Sequence, residues 1–547
     1  MKKKTIAFLL VLILAAGLFV RLYRLDLRPM HHDEANQAYK FGELLEKGEY
    51  RYDPAEHHGP TLYYFSLPFA WLSGQKTYAE LNEITLRLVT VFFGLVMILI
   101  AAVAAGKYLK ESEKLWASLF LAVSAPVVYF NRFYIQESLL AAFALAFVIC
   151  LWRFYHKPDY REGVWLGLTA GLLYATKETS IIILAASLLA LTGVWLLTRR
   201  KDKSEQNQED EKNRKIEKRE NEEKIPGSDT QKAWQPLLLA IFIFLAVSFV
   251  FYSSFFKYPQ GFLDSFKALA GYGQKGLEAG WHRHPFWYYF SLLFYRHGAP
   301  GSPVFTEIPF LALALFGMMI SFIELSKSKK SSENFRAYLA FLAVITALIY
   351  SAIPYKTPWN MLTFWCFFLI VAAIGFDYLL RLIKIRQSKI LLTGILLIWT
   401  GWQVYLVNYY FYAYPDNPYV YAQTSPDFLR LVNRLNDLSQ VDSEGKDVFI
   451  RVIASPEETW PLPWYLRRFS RVGYWTASEQ VETLEPARLI IMSAAEAAKR
   501  QEKELAGYVA QYYSLRPDVV LVLFVDNELW QTYLLKKVEG LPRRQRP

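Results

Sequence analysis

Eleven apolar runs of about 20 residues dominate the 547-residue sequence and leave little choice of fold. Runs of this length match the hydrocarbon thickness of a bilayer and predict transmembrane helices. Hydrophobic residues make up 53% of the chain, which argues against a set of ordinary soluble domains. The runs lie at 5–22, 86–106, 115–130, 138–154, 163–177, 180–198, 235–255, 308–325, 336–353, 359–380 and 390–411.

The first run, 5–22, follows three lysines and has two interpretations, a cleaved signal peptide or an uncleaved anchor. No small-x-small cleavage site follows it. The segment Arg21-Leu22-Tyr23-Arg24 is instead typical of an anchor at the membrane interface. We therefore expect an uncleaved signal anchor.

The net charge of +11 is distributed unevenly. With the N-terminus in the cytoplasm, the predicted inside segments hold 28 Lys and Arg and 16 Asp and Glu, a net of +12. The tail 412–547 has a net charge of −1. By the positive-inside rule, this predicts a multi-pass protein of the cell membrane with a cytoplasmic N-terminus and an extracytoplasmic tail. The charge therefore does not indicate a nucleic-acid partner.

The polar segments suggest two domains. Residues 1–411 form a mainly α, polytopic transmembrane domain, with interfacial helices in the first external loop (23–85) and a charged cytoplasmic loop (199–233). Residues 412–547 alternate strand-like and helix-like runs, which predicts an extracytoplasmic α/β domain. Its strand-like runs lie at 448–453, 489–492 and 519–525, and its helix-like runs lie at 427–438 and 494–512.

The first external loop opens with His31-His32-Asp33-Glu34. Asp33 is placed to start a helix, whose positive end would keep its carboxylate ionised. An ionised Asp at a dry interface is a candidate general base. The alternative, a simple N-cap with solvated neighbours, stays open at this point.

The same loop continues as Glu56-His57-His58-Gly59-Pro60-Thr61-Leu62-Tyr63. Glu56 and His57, with Glu137 further along the chain, are the candidate ligands for a divalent metal. No recognised metal-binding spacing joins them, and the two cysteines exclude a Cys-based zinc site. A divalent metal therefore remains an alternative, and no cofactor is required by the sequence.

Three cations stand at outer ends of predicted spans, where the positive-inside rule disfavours them: Arg132, Lys177 and Lys356. Their natural partner at this depth is an anion such as a lipid phosphate. The alternatives are snorkelling, or local pairs of Arg132 with Glu137 and of Lys177 with Glu178.

Together these elements resemble the GT-C membrane glycosyltransferases: a first span, an acidic pair just outside it, a His-Gly-Pro element and many further spans. The likeness is strongest to the family 39 type, which includes protein O-mannosyltransferases and lipid A aminoarabinose transferases. Within that type, His32-Asp33-Glu34-Ala35 with His57-His58-Gly59-Pro60 is most similar to a prokaryotic subfamily associated with archaeal glycosylation and flippase loci.

The resemblance implies inverting transfer of a sugar from a polyprenyl-phosphate-linked donor to a lipid, glycan or protein acceptor on the outer side. The positions that match the family are Asp33 as acceptor base, Glu34 beside it, Arg132, Lys177 and Lys356 for the donor phosphate, and Glu137, His58 and Tyr63 as further substrate candidates. Aminoarabinose-type relatives carry Glu-Lys-Pro-Pro-x-Tyr where this chain reads Glu56-His57-His58-Gly59-Pro60-Thr61-Leu62-Tyr63. This departure leaves the role of the element open.

The sequence thus favours a lipid-linked-sugar glycosyltransferase. One alternative is a flippase-associated or transport component that binds lipid-linked sugar without catalysis. Another is a metal-dependent hydrolase built on the first external loop. No nucleotide-binding motif in a suitable context is present.

Overall fold

The computed structural model of the protein describes residues 3–55, 58–104, 106–213, 234–277, 280–297, 301–327 and 331–539. Its helices are α1 (Lys3–Leu22), α2 (His32–Lys47), α3 (Thr61–Leu72), α4 (Glu83–Leu99), α5 (Glu111–Val123), α6 (Ala125–Asn131), α7 (Glu137–His156), α8 (Tyr160–Tyr174), α9 (Ser180–Asn213), α10 (Trp234–Tyr252), α11 (Gln260–Leu277), α12 (Tyr288–Phe294), α13 (Ile308–Lys327), α14 (Ser331–Ala352), α15 (Leu362–Leu382), α16 (Arg386–Tyr405), α17 (Pro426–Val441), α18 (Pro456–Thr459), α19 (Leu462–Tyr465), α20 (Ala494–Ala497), α21 (Glu502–Leu505) and α22 (Asn527–Glu539).

Its strands are β1 (Arg296–His297), β2 (Val304–Phe305), β3 (Ile450–Ile453), β4 (Val472–Trp475), β5 (Leu489–Ser493), β6 (Tyr508–Arg516) and β7 (Val519–Asp526). The chain divides into two compact units. We call them the helical unit (1–23, 49–69 and 87–410) and the α/β unit (24–48, 70–86 and 411–547).

The described part of the chain confirms a polytopic membrane protein. Nine of its helices are long and apolar enough to cross a membrane, and the pair α5–α6, bent by 61°, is a tenth candidate. The remaining predicted span, 163–177, corresponds to α8, whose 15 residues rise only about 22 Å. This helix is shorter than a hydrocarbon core of roughly 30 Å. Judged by helix length, the predicted count of eleven spans is therefore one more than the candidates in the described ranges.

The break between α5 and α6 exposes backbone carbonyls that need partners inside a membrane. Arg21 supplies them: its Nη1 and Nη2 atoms donate to the carbonyl oxygens of Ala122 and Leu121 at 2.9 Å each. Its Nε donates to Asn131 Oδ1 at 3.0 Å. The side chain is completely buried. The interpretation of Arg21 as an interface anchor is therefore wrong, because the residue holds a broken helix inside the bundle.

Helices α8 and α10 pack closely because glycines face the contact. A Cβ atom on Gly167 would lie 2.3 Å from the carbonyl oxygen of Ala240. Such small residues allow backbones in a membrane to approach each other, which fixes the turn that follows α8.

The α/β unit contains a five-stranded mixed sheet in the order β4-β3-β5-β7-β6. Strand β3 runs parallel to both β4 and β5, whereas β7 runs antiparallel to both β5 and β6. Helices α17 and α22 contribute Phe428, Leu431 and Leu529 to a core cluster that also contains alternate residues of β3, β5 and β7. The predicted strand-like runs and the helix at 427–438 are confirmed.

The prediction of one helix over 494–512 is wrong. The segment holds two four-residue helices, α20 and α21, followed by β6, whose residues 508–514 pair with β7. The alternation of side chains from Tyr508 fits a strand, and the ladder with β7 overrides the local helix propensity of the alanines and glutamates before it.

Parts of the first external loop pack with the tail in the α/β unit. Trp464 Nε1 donates to Glu83 Oε1 at 2.8 Å, and Arg467 Nη2 donates to the Leu81 carbonyl at 2.5 Å. The predicted division places all of 23–85 with the spans, whereas here 24–48 and 70–86 belong to the same compact unit as residues 411–547.

Candidate active site

The turn between α8 and α9 carries two opposite charges, Lys177 and Glu178, that do not pair with each other. Lys177 Nζ forms an ion pair with the carboxylate of Glu137 and donates to Asn360 Oδ1 at 3.2 Å. The side chains of Lys177 and Glu137 are 6% and 2% exposed. Glu137 is the first residue of α7, where the positive helix end favours a carboxylate. The alternative pairs, Lys177 with Glu178 and Arg132 with Glu137, are wrong.

Glu178 pairs instead with the His-Gly-Pro element. Its Oε2 lies 2.7 Å from His58 Nδ1, and its Oε1 accepts from the Tyr52 hydroxyl at 2.9 Å. Burial raises the pKa of this carboxyl, but the charge and hydrogen bond of His58 outweigh burial and hold the pKa below its ordinary value. A carboxylate on Nδ1 orients the imidazole ring.

The residues after His58 explain how its ring is held in place. Gly59 lies so close to the turn that a Cβ atom would be 2.3 Å from the Ala175 carbonyl oxygen. Thr61 begins α3, and its backbone N–H donates to the same carbonyl at 3.3 Å. Its hydroxyl donates to Thr176 Oγ1 at 2.9 Å. Tyr63 is buried, with its ring 4.9 Å from that of Tyr50.

Lys356 is buried, and its amine donates hydrogen bonds to backbone carbonyls. Its Nζ donates to the carbonyl oxygens of Ile353 at 2.5 Å and His284 at 3.0 Å. Burial lowers the pKa of this amine. These contacts join the segment after α14 to the segment before α12.

Arg132 caps a helix. Its Nη1 donates to the carbonyl of Tyr23 at 2.7 Å and to those of Val20 and Arg21 at 3.2 Å each. The guanidinium also lies 4.9 Å from the centre of the Tyr409 ring. The last carbonyls of α1 would otherwise lack partners, so Arg132 stabilises the end of this span.

Several buried hydroxyls near Lys177 have no hydrogen-bond partner within the described ranges. Ser180 lies in the same turn, where its N–H donates to the Lys177 carbonyl. Thr357 precedes Asn360 and accepts from its backbone N–H at 3.2 Å, and Tyr289 lies beside Asn360. The hydroxyl of Thr357 also lacks a partner there. Buried hydroxyls without partners can donate to an anionic or polyhydroxylated group.

The acidic pair lies in the α/β unit, at the start of α2. The N-cap is His31, not Asp33: His31 Nδ1 accepts from the Asp33 N–H at 3.0 Å, and Glu34 Oε2 accepts from the His31 N–H at 3.1 Å. This reciprocal pair is a capping box. Glu34 is therefore buried and caps the helix, whereas the Asp33 side chain is 39% exposed.

Two neutral imidazoles flank Asp33. Burial lowers the pKa of both His31 and His32, and this effect outweighs the opposite influence of the nearby Asp33 carboxylate. His31 Nε2 lies 2.9 Å from the Tyr421 carbonyl and donates to it, since Nδ1 acts as the acceptor in the cap.

The predicted metal ligands do not form a metal centre in the described ranges, where no group of three His, Cys, Asp or Glu side chains could hold an ion. Glu56 and His57 lie outside the described residues. Glu137 is occupied by Lys177. We therefore derive no chemical step through a metal, and the predicted divalent metal stays a prediction.

Comparison with known proteins identifies the architecture. Residues 11–259, somewhat less than half of the chain, match the family model of dolichyl-phosphate-mannose-protein mannosyltransferases. ArnT from Cupriavidus metallidurans, solved with bound undecaprenyl phosphate, aligns over 94% of this chain and 97% of its own, with 15% identity and a TM-score of 0.54. The chain has the GT-C fold.

A second GT-C structure is similarly related. The archaeal oligosaccharyltransferase AglB from Archaeoglobus fulgidus, solved with an inhibitory peptide and a dolichol-phosphate, aligns over 97% of this chain and 77% of its own. The identity is 10% and the TM-score is 0.54. No curated protein sequence matches the chain. The GT-C fold that the sequence resemblance implies is confirmed.

The GT-C helical unit brings together Lys177, Glu137, His58 and Tyr63 with partners that the sequence did not single out, while Asp33 and Glu34 lie in the α/β unit. The missed partners are Tyr52, Glu178 and Asn360. Glu178 and Asn360 lie in short polar segments at the ends of predicted spans, close to Lys177 and Lys356, and this position could have indicated them from the sequence. No such position marks Tyr52, because its partner is 126 positions away.

Proposed function

We propose that the chain is an integral membrane glycosyltransferase that moves a sugar from a polyprenyl-phosphate-linked donor to an acceptor on the extracytoplasmic face, with inversion. The observation that carries the proposal is the buried Lys177, held by Glu137 and Asn360 beside hydroxyls that lack partners. The GT-C fold supports it, since the related ArnT and AglB structures contain undecaprenyl phosphate and dolichol-phosphate.

On the donor side, the leaving group is a lipid phosphate whose negative charge grows as the bond to the sugar breaks. A cation fixed beforehand in a water-poor site stabilises such a charge most effectively. We assign this role to Lys177. Arg132 and Lys356 support the site indirectly, because Arg132 Nη1 and Lys356 Nζ donate to backbone carbonyls.

His58 is the second proposed contact to the donor. Glu178 holds its Nδ1 and so orients the ring, and we assign to its Nε2 a hydrogen bond to a phosphate oxygen of the donor. The imidazole is 24% exposed, in contrast to the 4% exposed carboxylate behind it. Tyr63 packs behind this element and positions it.

On the acceptor side, we assign Asp33 as the general base. Its carboxylate takes the proton of the acceptor hydroxyl while the acceptor oxygen forms a bond to the anomeric carbon. The bond between that carbon and the phosphate oxygen breaks on the opposite face, and its electron pair leaves with the lipid phosphate. Glu34 holds the helix start that presents Asp33. A general base contributes roughly 100-fold or more to such a step.

The proposed topology follows from the charge distribution, with the N-terminus in the cytoplasm and the α/β unit outside. This arrangement would place Asp33 and the turn at Lys177 on the extracytoplasmic side. The acceptor is a lipid, glycan or protein that carries a hydroxyl group.

The experiment is a transfer assay with the purified full chain and a polyprenyl-phosphate-linked hexose. Asp33→Asn should insert and fold normally but lose at least about 100-fold in transfer. Glu43→Gln, which neutralises a surface carboxylate on the same helix α2, is the matched control and should retain activity. Undiminished transfer by Asp33→Asn would contradict the assignment of Asp33 as the general base.

The same assay addresses the non-catalytic alternative. An enzyme should slowly hydrolyse its donor without acceptor, releasing free sugar and lipid phosphate. A flippase-associated component should bind the donor and leave it intact.

A further inference from the structure

Three aromatic rings lie next to one another on the α/β unit beside Asp33, with Trp460 tilted against His32 and edge-on to Tyr39; we call them the aromatic shelf (His32, Tyr39 and Trp460). The Trp460 ring lies 6.1 Å from that of His32 and 6.3 Å from that of Tyr39, measured between centres. His32 and Tyr39 are seven positions apart on α2 and so lie on the same face of the helix. Tyr39 is 47% exposed, and the other two rings are half-buried.

Polar groups surround the shelf. Asn36 lies on the same face of α2, one turn after His32 and three residues after Asp33, and is half-buried. Arg516 donates from Nη2 to the Glu457 carbonyl at 2.9 Å, and both residues act electrostatically on His32. The surface thus combines ring faces with both hydrogen-bond donors and acceptors.

We propose that the aromatic shelf binds a pyranose ring of the acceptor, so that the acceptor is a carbohydrate whose hydroxyl reaches Asp33. This inference rests on the proposed function and names its acceptor class. The C–H face of a sugar packs on aromatic rings, and its hydroxyl groups need polar partners at the rim. Asn36 neighbours both His32 and Asp33 on the helix surface, and the Asp33 carboxylate acts electrostatically on His32, so a sugar bound on the shelf has Asp33 beside it.

The shelf suits a sugar better than the other acceptor classes. A lipid chain requires a continuous aliphatic surface, whereas every member of the shelf carries a polar nitrogen or oxygen. One common way to bind an extended peptide is to add it to the free edge of a sheet. The shelf is built from helix α2 and from Trp460 at the end of α18, and it offers no strand edge.

The test is saturation-transfer NMR on the full chain in detergent, with the methyl pyranosides of glucose, galactose, mannose and N-acetylglucosamine as probes. At least one pyranoside should bind, and Trp460→Ala and Tyr39→Ala should each weaken its binding by about tenfold. Tyr512→Ala is the matched control, because Tyr512 is a 71% exposed tyrosine on β6 of the same unit, and it should bind as the wild type does.

Donor hydrolysis is measured in parallel with a polyprenyl-phosphate-linked hexose. The KM of the shelf variants for a sugar acceptor should rise, whereas the control Tyr512→Ala should keep the wild-type KM and hydrolysis rate. Pyranoside binding that is equal in wild type and both shelf variants overturns the inference. So does binding of a serine- or threonine-containing peptide, but of no pyranoside, by the wild type. A wild type that binds a pyranoside and never consumes donor overturns the proposed function and leaves the shelf intact.

Discussion

Lys177 and Glu137 form an ion pair that is almost fully buried, although 40 positions separate them in the chain. Removing one partner of such a pair leaves an uncompensated buried charge, which costs about 3–5 kcal/mol. The pair therefore stabilises the fold and also belongs to the proposed donor site. A single substitution would change both the stability and the activity of the protein.

A double substitution separates these roles. Lys177→Met alone should lower the thermal stability strongly, because the Glu137 carboxylate stays buried without its cation. Lys177→Met with Glu137→Gln removes both charges and should recover most of that stability, while donor hydrolysis stays at least about 100-fold below wild type. Thermal unfolding and donor hydrolysis are measured on the same preparations. A double variant with wild-type hydrolysis would contradict the assignment of Lys177.

The second prediction concerns Glu178 and His58. Glu178→Gln keeps a hydrogen-bond acceptor for Tyr52 but removes the charge that pairs with the imidazole of His58. Donor hydrolysis by this variant should fall roughly 10- to 100-fold, because the ring is no longer held by a carboxylate.

Asp264→Asn supplies the control for Glu178→Gln, because Asp264 is another buried carboxylate of the helical unit, paired with Lys267. It should leave the rate of donor hydrolysis unchanged. If Glu178→Gln also hydrolyses the donor at the wild-type rate, His58 does not act on the donor.

Local sequence signals explain why the spans could be predicted. Length and hydropathy are properties of each segment alone, so nine spans and the bent pair were found within a few residues. The eleventh run, 163–177, does not reach the length of a span, because α8 has 15 residues and ends at Tyr174.

The site could be predicted in part, because a charge at the end of an apolar helix is visible without knowing its partner. Lys177 was singled out as a candidate in this way. The pairing of Lys177 with Glu137 and the contact of His58 with Glu178 depend on how distant helices pack, which periodicity does not encode. The N-cap was misplaced by two residues, because histidine is an uncommon cap and Asp33 is a common one.

The membrane orientation gives a third prediction. In a chain whose cysteines at 150 and 366 are replaced, a new cysteine at the exposed Tyr512 should react with a membrane-impermeant maleimide in intact cells. A cysteine at Lys157, which is 78% exposed in a predicted cytoplasmic segment, should react only after the cells are permeabilised. The reverse pattern of labelling would overturn the proposed topology and with it the extracytoplasmic reaction.

The last prediction concerns the pH dependence of the helix start that presents Asp33. His31 Nδ1 accepts the Asp33 N–H, so the cap requires a neutral imidazole. Burial lowers the pKa of His31 below its ordinary 6.5 despite the neighbouring Asp33 and Glu34 carboxylates. As the pH falls, the unfolded chain therefore takes up this proton more readily than the folded chain. The stabilisation is complete above about pH 6.5 and is lost below it.

His31→Asn tests this dependence, because asparagine is a good N-cap that does not titrate in this range. Hydrogen exchange of the Asp33 amide should accelerate between about pH 7 and about pH 5 in the wild type, after correction for the intrinsic rate, and should change much less in the variant. His32→Asn is the matched control: it removes the neighbouring buried histidine but not the cap, so the wild-type acceleration should remain. Equal acceleration in the wild type and His31→Asn would show that this cap does not control the pH response of α2.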